Sequence, residues 1–165
     1  MRKFIFISIV LLMLAGFAIT SSADVVTLFA DQDVDVGTLT VVEDGTDLVV
    51  TYDITGSGWE LLETHLYVGT AVPDKSAPGR FPYGPDDVDV ATAGQYIRVY
   101  TIDLGTFTGT LYIAAHAEIG EVDVNGDPIP SIEDQTEETA WALAEDGIPI
   151  GKGKNWATYF TFTVQ

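Results

Sequence analysis

The chain has 165 residues, 47% of them apolar and 11% aromatic, with 25 acidic residues against seven basic ones and a formal charge of −18. This is enough apolar material for one buried core of ordinary domain size, while the charge repels phosphate backbones and anionic lipid and so argues against a nucleic-acid partner. There is no cysteine, which removes disulfides, thiolate metal sites and a lipoprotein anchor from consideration.

At the start of the chain Arg2 and Lys3 precede an unbroken run of apolar or small residues from Phe4 to Ala18, and Ser21, Ser22 and Ala23 follow. A short positive region, an apolar stretch and small residues in that order are the pattern of a secretory signal peptide, with cleavage expected after Ala23. The apolar run falls short of the roughly 20 residues that span a bilayer. The expected organisation is a signal peptide over residues 1–23 and a single domain over 24–165, secreted, with no membrane in the mature form and at most a noncovalent hold on the cell surface. That domain keeps five basic residues (Lys75, Arg80, Arg98, Lys152 and Lys154) against all 25 acidic ones, a net charge of −20. Such a surface suits solubility or a salty medium, and it equally suits calcium, whose binding relieves clustered carboxylates.

From Val25 onward the periodicity is that of strands. Runs at Val25–Phe29, Val34–Glu43, Asp47–Ile54, Trp59–Gly69, Gln95–Leu104, Thr110–Ile119 and Trp156–Val164 are rich in Val, Ile, Thr, Tyr and Phe, the residues that fit a pleated, half-buried surface. Asp44-Gly45, Gly56-Ser57-Gly58, Gly105 and Asn125-Gly126 read as turns. Two stretches break the rhythm. Pro73 to Ala93 holds four of the seven prolines and the acidic group Asp86, Asp87 and Asp89; Glu121 to Lys154 holds the other three prolines. In the second, Glu133 to Ala144 reads either as one short helix or, over Thr136–Trp141, as a strand. About seven strands without alternating helices predict an all-β fold, a two-sheet β-sandwich of jelly-roll-like or immunoglobulin-like type, with at most one short helix.

The chain's two histidines both fall mid-strand. Alternation puts Trp59, Leu61, Glu63, His65 and Tyr67 on one face of their strand, and Tyr112, Ala114, His116 and Glu118 on one face of theirs, with Ile113, Ala115, Ala117 and Ile119 opposite. Were the two strands neighbours, the histidines would face each other beside a glutamate. Two readings follow: a transition-metal site built from both histidines and a carboxylate, or a structural network in which each imidazole is held by a neighbour. No H-x-x-x-H motif favours the first.

Two acidic segments invite a calcium reading. In Asp31–Gly37 the spacing does not match an EF-type loop and the alternating valines suggest a strand with aspartates on its solvent face. Asp123, Asn125 and Asp127 form a shorter, turn-forming, oxygen-rich group that reads as a calcium site or as a plain Asn-Gly turn. Nucleophilic catalysis has little support: there is no G-x-S-x-G elbow, and Ser57 lies between glycines without a base nearby. Among the aromatics, Trp156, Phe160, Phe162 and Val164 share a face as core residues do, whereas Trp59 and Tyr67 share the His65 face.

The strings W-E-L-L-E-T-H-L-Y-V (Trp59–Val68), P-G-R-F-P-Y (Pro78–Tyr83), L-Y-I-A-A-H-A (Leu111–Ala117), E-T-A-W-A (Glu138–Ala142) and K-N-W-A-T-Y-F-T-F (Lys154–Phe162) together resemble an uncharacterised β-domain of secreted and surface-exposed bacterial and archaeal proteins. The resemblance implies an extracellular β-module and draws attention to Glu63, His65, His116, Glu138, Trp141, Asn155 and Trp156. The expected function is a non-catalytic extracellular module that binds a cell-surface partner, carbohydrate or protein, or assembles with itself. The expected binding residues are Glu63, His65, Tyr67, His116, Glu138, Trp141 and Asn155. The alternative is a metal-dependent hydrolase using His65, His116 and a nearby glutamate.

Overall fold

The computed structural model describes residues 22–91, 95–105, 107–123, 125–127, 129, 136–145, 147–151 and 156–165. The apolar leader expected at the N-terminus lies outside them, apart from Ser22 and Ala23, and so does Asn155. Among the described residues no helix is long and apolar enough to cross a membrane.

The described residues form ten strands in chain order: β1 (Ala23–Ala30), β2 (Val34–Asp44), β3 (Asp47–Asp53), β4 (Trp59–Gly69), β5 (Val90–Ala91), β6 (Ile97–Asp103), β7 (Gly109–Glu121), β8 (Glu137–Leu143), β9 (Ile148–Pro149) and β10 (Thr158–Val164). Among the described residues the helical elements are two single 3-10 turns, Pro78–Arg80 and Pro85–Asp87, each opened by a proline whose fixed φ suits a first helical position. The all-β expectation holds. The strands are hydrogen-bonded into one antiparallel sheet in the order β5-β6-β3-β2-β1-β8-β7-β10-β9, with β4 on the free side of β7. The short helix considered for Glu133–Ala144 is not formed over its described part, because β8 is a strand there. Its alternation sends Ala140 and Ala142 into the inner core and Trp141 to the other side.

The sheet curls until its ends meet. Strand β7 is long enough to carry two partners on one side, β10 along its first half and β8 along its second. At the far end Tyr52 on β3 and Tyr100 on β6 reach across to β4: the Tyr52 hydroxyl donates to the His65 carbonyl (3.0 Å) and the Tyr100 hydroxyl to the Thr64 carbonyl (3.0 Å). The Thr64 hydroxyl and the Tyr100 oxygen are a further 2.7 Å pair. Burial raises both phenols above their ordinary pKa, Tyr52 the more strongly, so at neutral pH both stay protonated and act as donors.

Inside this curl lies a core of Leu28, Leu39, Val41, Leu48, Val50, Leu61, Leu66, Leu111, Ile113, Ala115, Ile119, Phe160 and Phe162 with their neighbours. The order follows from alternation, since one face of each strand supplies every second residue. Two bulges adjust the register. Between β1 and β2, Leu28 pairs with Gly37 and Phe29 with Asp35, leaving Val36 as the extra residue. Gly37 has φ +144°, and a Cβ there would stand 2.2 Å from the Asp53 carbonyl oxygen, so only glycine fits. Of the aspartates expected on one strand face, only Asp35 lies in β2, exposed beside the buried Val36, while Asp31 and Asp33 lie in the turn before it.

The second bulge corrects the reading of β4. Leu61 pairs with Ile119 and Glu63 with Glu118, so Leu62 is extra and the two halves of the strand exchange faces. Before the bulge Trp59 and Leu61 belong to the inner core; after it the inner positions are Thr64, Leu66 and Val68, and Glu63, His65 and Tyr67 face out. Trp59 and Tyr67 therefore do not share a face, because an inserted residue inverts the alternation beyond it. Arg98 on β6 holds this bulge: its guanidinium donates to the Leu61 carbonyl (3.0 Å) and to the Gln95 side chain, and the Leu61 amide donates to the Gln95 carbonyl (2.7 Å).

Candidate functional site

The outward face of β7 starts a second apolar cluster, separate from the core. Ala114, Trp141, Ile150, Ala157 and Tyr159 are buried in it, and Tyr67, Phe81, Tyr112 and Trp156 are half-buried against it. Trp156 precedes β10 and joins this outer cluster, while Phe160, Phe162 and Val164 pack inward. The expectation that all four share a face holds only for the last three, because Trp156 lies outside the pleat.

Strands β4 and β7 are neighbours, and His65 is registered directly opposite His116, with Trp141 of β8 beyond it. The imidazole centroids are 5.9 Å apart and tilted by 36°. His116 meets the edge of Trp141 at 4.9 Å, Trp141 meets Phe81 at 6.1 Å, and Phe81 meets Tyr67 at 5.9 Å. An unbroken row of rings thus runs from β4 across the sheet and back to β4. Edge-to-face pairs of this kind each add about 0.5–1.5 kcal/mol beyond area burial.

His65 Nε2 is 2.9 Å from a Glu63 carboxylate oxygen. His116 is buried, and its Nδ1 has no hydrogen-bond partner. Burial, reinforced by His65 facing it, pushes His116 down to about 4, so it is a neutral imidazole at physiological pH. Among the described residues no group of three or more His, Asp or Glu side chains could hold a metal ion. The two histidines and Glu63 do come together, as a ring pair with one carboxylate on its exposed side.

Trp141 and Tyr67 belong to the same row of rings, and the other expected residues lie apart. Glu138 lines an acidic cavity of about 280 Å³ with Glu118, Glu137 and Thr139. Trp141 is 5% exposed, a floor under Phe81 rather than a free platform. Asp123 serves its own turn: one carboxylate oxygen accepts from the amides of Asn125 (2.8 Å) and Asp127 (2.9 Å), and the other from the Asn125 side chain (3.1 Å). Those bonds, led by the Asp127 amide, hold its carboxyl below the usual aspartate range. The turn is fixed further by the Tyr96 hydroxyl, which donates to the Gly126 carbonyl (2.6 Å).

The Pro-rich stretch after β4 completes the site. Tyr83 is bridged to Leu66 by a pair of backbone hydrogen bonds, 2.8 and 3.2 Å, which lays residues 78–83 against the free edge of β4 and sets Phe81 over Trp141. Between Tyr67, Phe81, Pro73, Asp74, Lys75 and Arg80 is a cavity of about 260 Å³. The Tyr67 ring in its wall is fixed in place. Its hydroxyl donates to the Ala71 carbonyl (2.7 Å), and the ring folds over Gly69, where a Cβ would stand 2.9 Å from the phenolic oxygen. Burial and the adjacent Asp74 carboxylate push the Tyr67 phenol up, so it too remains a donor at neutral pH.

Sequence reasoning singled out Tyr67 but passed over Asp74, Lys75, Arg80 and Phe81. The available signal was charge placement: in an otherwise acidic chain four of the five basic residues beyond the leader fall in two close pairs, Lys75 with Arg80 and Lys152 with Lys154.

Fold and site together define an all-β module with an outward aromatic array and a small polar-lined cavity at its end. The chain matches no family model, no curated protein and no solved structure.

Proposed function

We infer that this protein is an extracellular, non-catalytic binding module whose ligand is a saccharide held at the cavity between Tyr67 and Phe81. The observation that carries this reading is the pairing of two rings, one of them locked by its own hydroxyl, with three charged side chains in a single cavity. A sugar ring presents C–H groups on its faces and hydroxyls around its rim. Aromatic walls suit the former and a carboxylate, an ammonium and a guanidinium suit the latter. The cavity is slightly smaller than the roughly 300–1,000 Å³ typical of sites for drug-sized ligands, which suits one sugar unit. The N-terminal leader pattern and the resemblance to surface-exposed β-domains support an extracellular setting.

Glycan-array binding followed by titration calorimetry on the best hit tests this. Phe81→Ala and Tyr67→Ala should each abolish binding while the protein keeps its fold by circular dichroism. Gly69→Ala, which displaces the Tyr67 ring without removing any contact group, should weaken binding in the same direction. Retention of full affinity in both ring variants would refute the site.

A further inference from the structure

We propose that the unit recognised at this cavity is an acidic sugar, carrying a carboxylate or a sulfate ester, with Arg80 and Lys75 as the groups that bind its acid; this rests on the saccharide reading above. The ground is the distribution of positive charge. Of the three basic residues among those described, Arg98 is buried and committed to the β4 bulge. The remaining two, Lys75 and Arg80, are exposed and line the same cavity. Among the described residues neither forms a salt bridge.

In a chain with a formal charge of −18, a neutral ligand needs no such cations, and solubility is already served by the acidic surface. An anion, by contrast, is repelled everywhere except where positive charge is gathered. Long-range repulsion is screened beyond about 8 Å at physiological salt, so two cations at contact distance decide whether an acid group binds. A guanidinium offers two parallel N–H donors to a carboxylate or sulfate, and an ammonium adds a point charge. Asp74, the one acid in the wall, leaves the cavity with an excess of one positive charge and supplies an acceptor for a ring hydroxyl.

An acidic peptide is the competing occupant of such a patch. The usual way for an extended peptide to dock beside a strand is to extend its ladder, and at Leu66 that place on β4 is already taken by Tyr83. The chemistry left open is that of side-on recognition through rings and charges, which suits a sugar.

The test uses the whole secreted protein and three probes in calorimetry: a galacturonic acid trisaccharide, the same trisaccharide with its carboxylates methyl-esterified, and a sulfated disaccharide. Binding of the uronate or the sulfated probe, but not the ester, is the expected result, and which acidic probe binds separates carboxylate from sulfate recognition. Arg80→Gln should lower affinity for the acidic probe at least about tenfold, the loss of one charge-assisted pair, and Lys75→Gln should lower it less. Both residues are exposed, so both variants should melt as the wild type does. Equal binding of ester and acid, unaffected by Arg80→Gln but abolished by Phe81→Ala, would overturn the acidic-sugar inference and leave the saccharide site intact. If no saccharide binds and an acidic peptide does so through Arg80, both fall.

Discussion

The two faces of β7 are built from one strand and one set of backbone bonds, yet they differ in kind. Leu111, Ile113, Ala115, Ala117 and Ile119 on the inner face are all fully buried and aliphatic. On the outer face Tyr112, His116 and Glu118 carry rings or titratable groups around the small Ala114, and they range from buried His116 to exposed Glu118. The inner face belongs to the larger of the two apolar clusters. The outer one carries a buried imidazole with an unsatisfied nitrogen and takes part in a row of rings whose far end, at Phe81 and Tyr67, walls the cavity where charged groups converge.

The comparison is broken most forcefully from the inside. Leu39→Ala removes a fully buried side chain from the inner core and should cost about 2–5 kcal/mol in guanidinium unfolding, with unchanged ligand affinity in the folded fraction. A loss of affinity equal to the loss of stability would show that the two faces are one unit.

Acid should act next, through the outer face. His116 titrates near 6.5 when unfolded and is pushed down to about 4 in the fold, so between those values the unfolded chain binds the extra proton. Its contribution is complete above about pH 6.5 and is lost as pH falls toward 4, by about 3 kcal/mol in all. The groups around it on the outer face are His65 on β4, with Glu63 beside that histidine, and Trp141 on β8, with Glu118 the next outward residue of β7. Urea melts between pH 7 and 5 should show the slope, and His116→Phe, which keeps a ring beside Trp141, should flatten it. An unchanged slope in that variant would assign the acid sensitivity to carboxylates instead.

A smaller effect is expected where the halves of the curl join. Tyr52→Phe removes the donor to the His65 carbonyl and should cost about 1 kcal/mol. Amide exchange on β4 should rise more than on β2 if the phenol holds that strand. Smallest of all is the effect expected at Asp123. Because its carboxylate oxygens already serve its own turn, millimolar calcium and sodium chloride of equal ionic strength should raise the melting temperature alike. A greater rise in calcium, lost in Asp123→Asn, would show a cation site in that loop.

Much of this arrangement was legible along the chain. Trp59–Gly69 is the fourth strand to the residue, and the split of β7 into Ile113, Ala115, Ala117 and Ile119 against Tyr112, Ala114 and His116 follows from a period of two alone. The Asp44-Gly45 hairpin forms as turn chemistry dictates, with Gly45 at φ +66°. The facing of His65 and His116 was legible only as a condition, because which strands are neighbours is not written in either one. The inversion of β4 was not legible: the extra residue at Leu62 is stabilised by Arg98 and Gln95, more than thirty positions away, and local alternation gives no sign of them.

The sequence by itself determined seven of the ten described strands, the alternation of faces along β3 and β7, and most of the turns between them, because these depend on side-chain volume, polarity and backbone preference within a few residues. It also determined the scarcity of positive charge that gives Lys75 and Arg80 their meaning. Only the tertiary structure decided that the sheet closes through two buried phenols, that a bulge separates Trp59 from Tyr67, and that the Pro-rich stretch folds back to set Phe81 and Arg80 beside Tyr67. Those outcomes depend on contacts between residues far apart in the chain, whose loop-closure cost is met only when the whole curl forms at once.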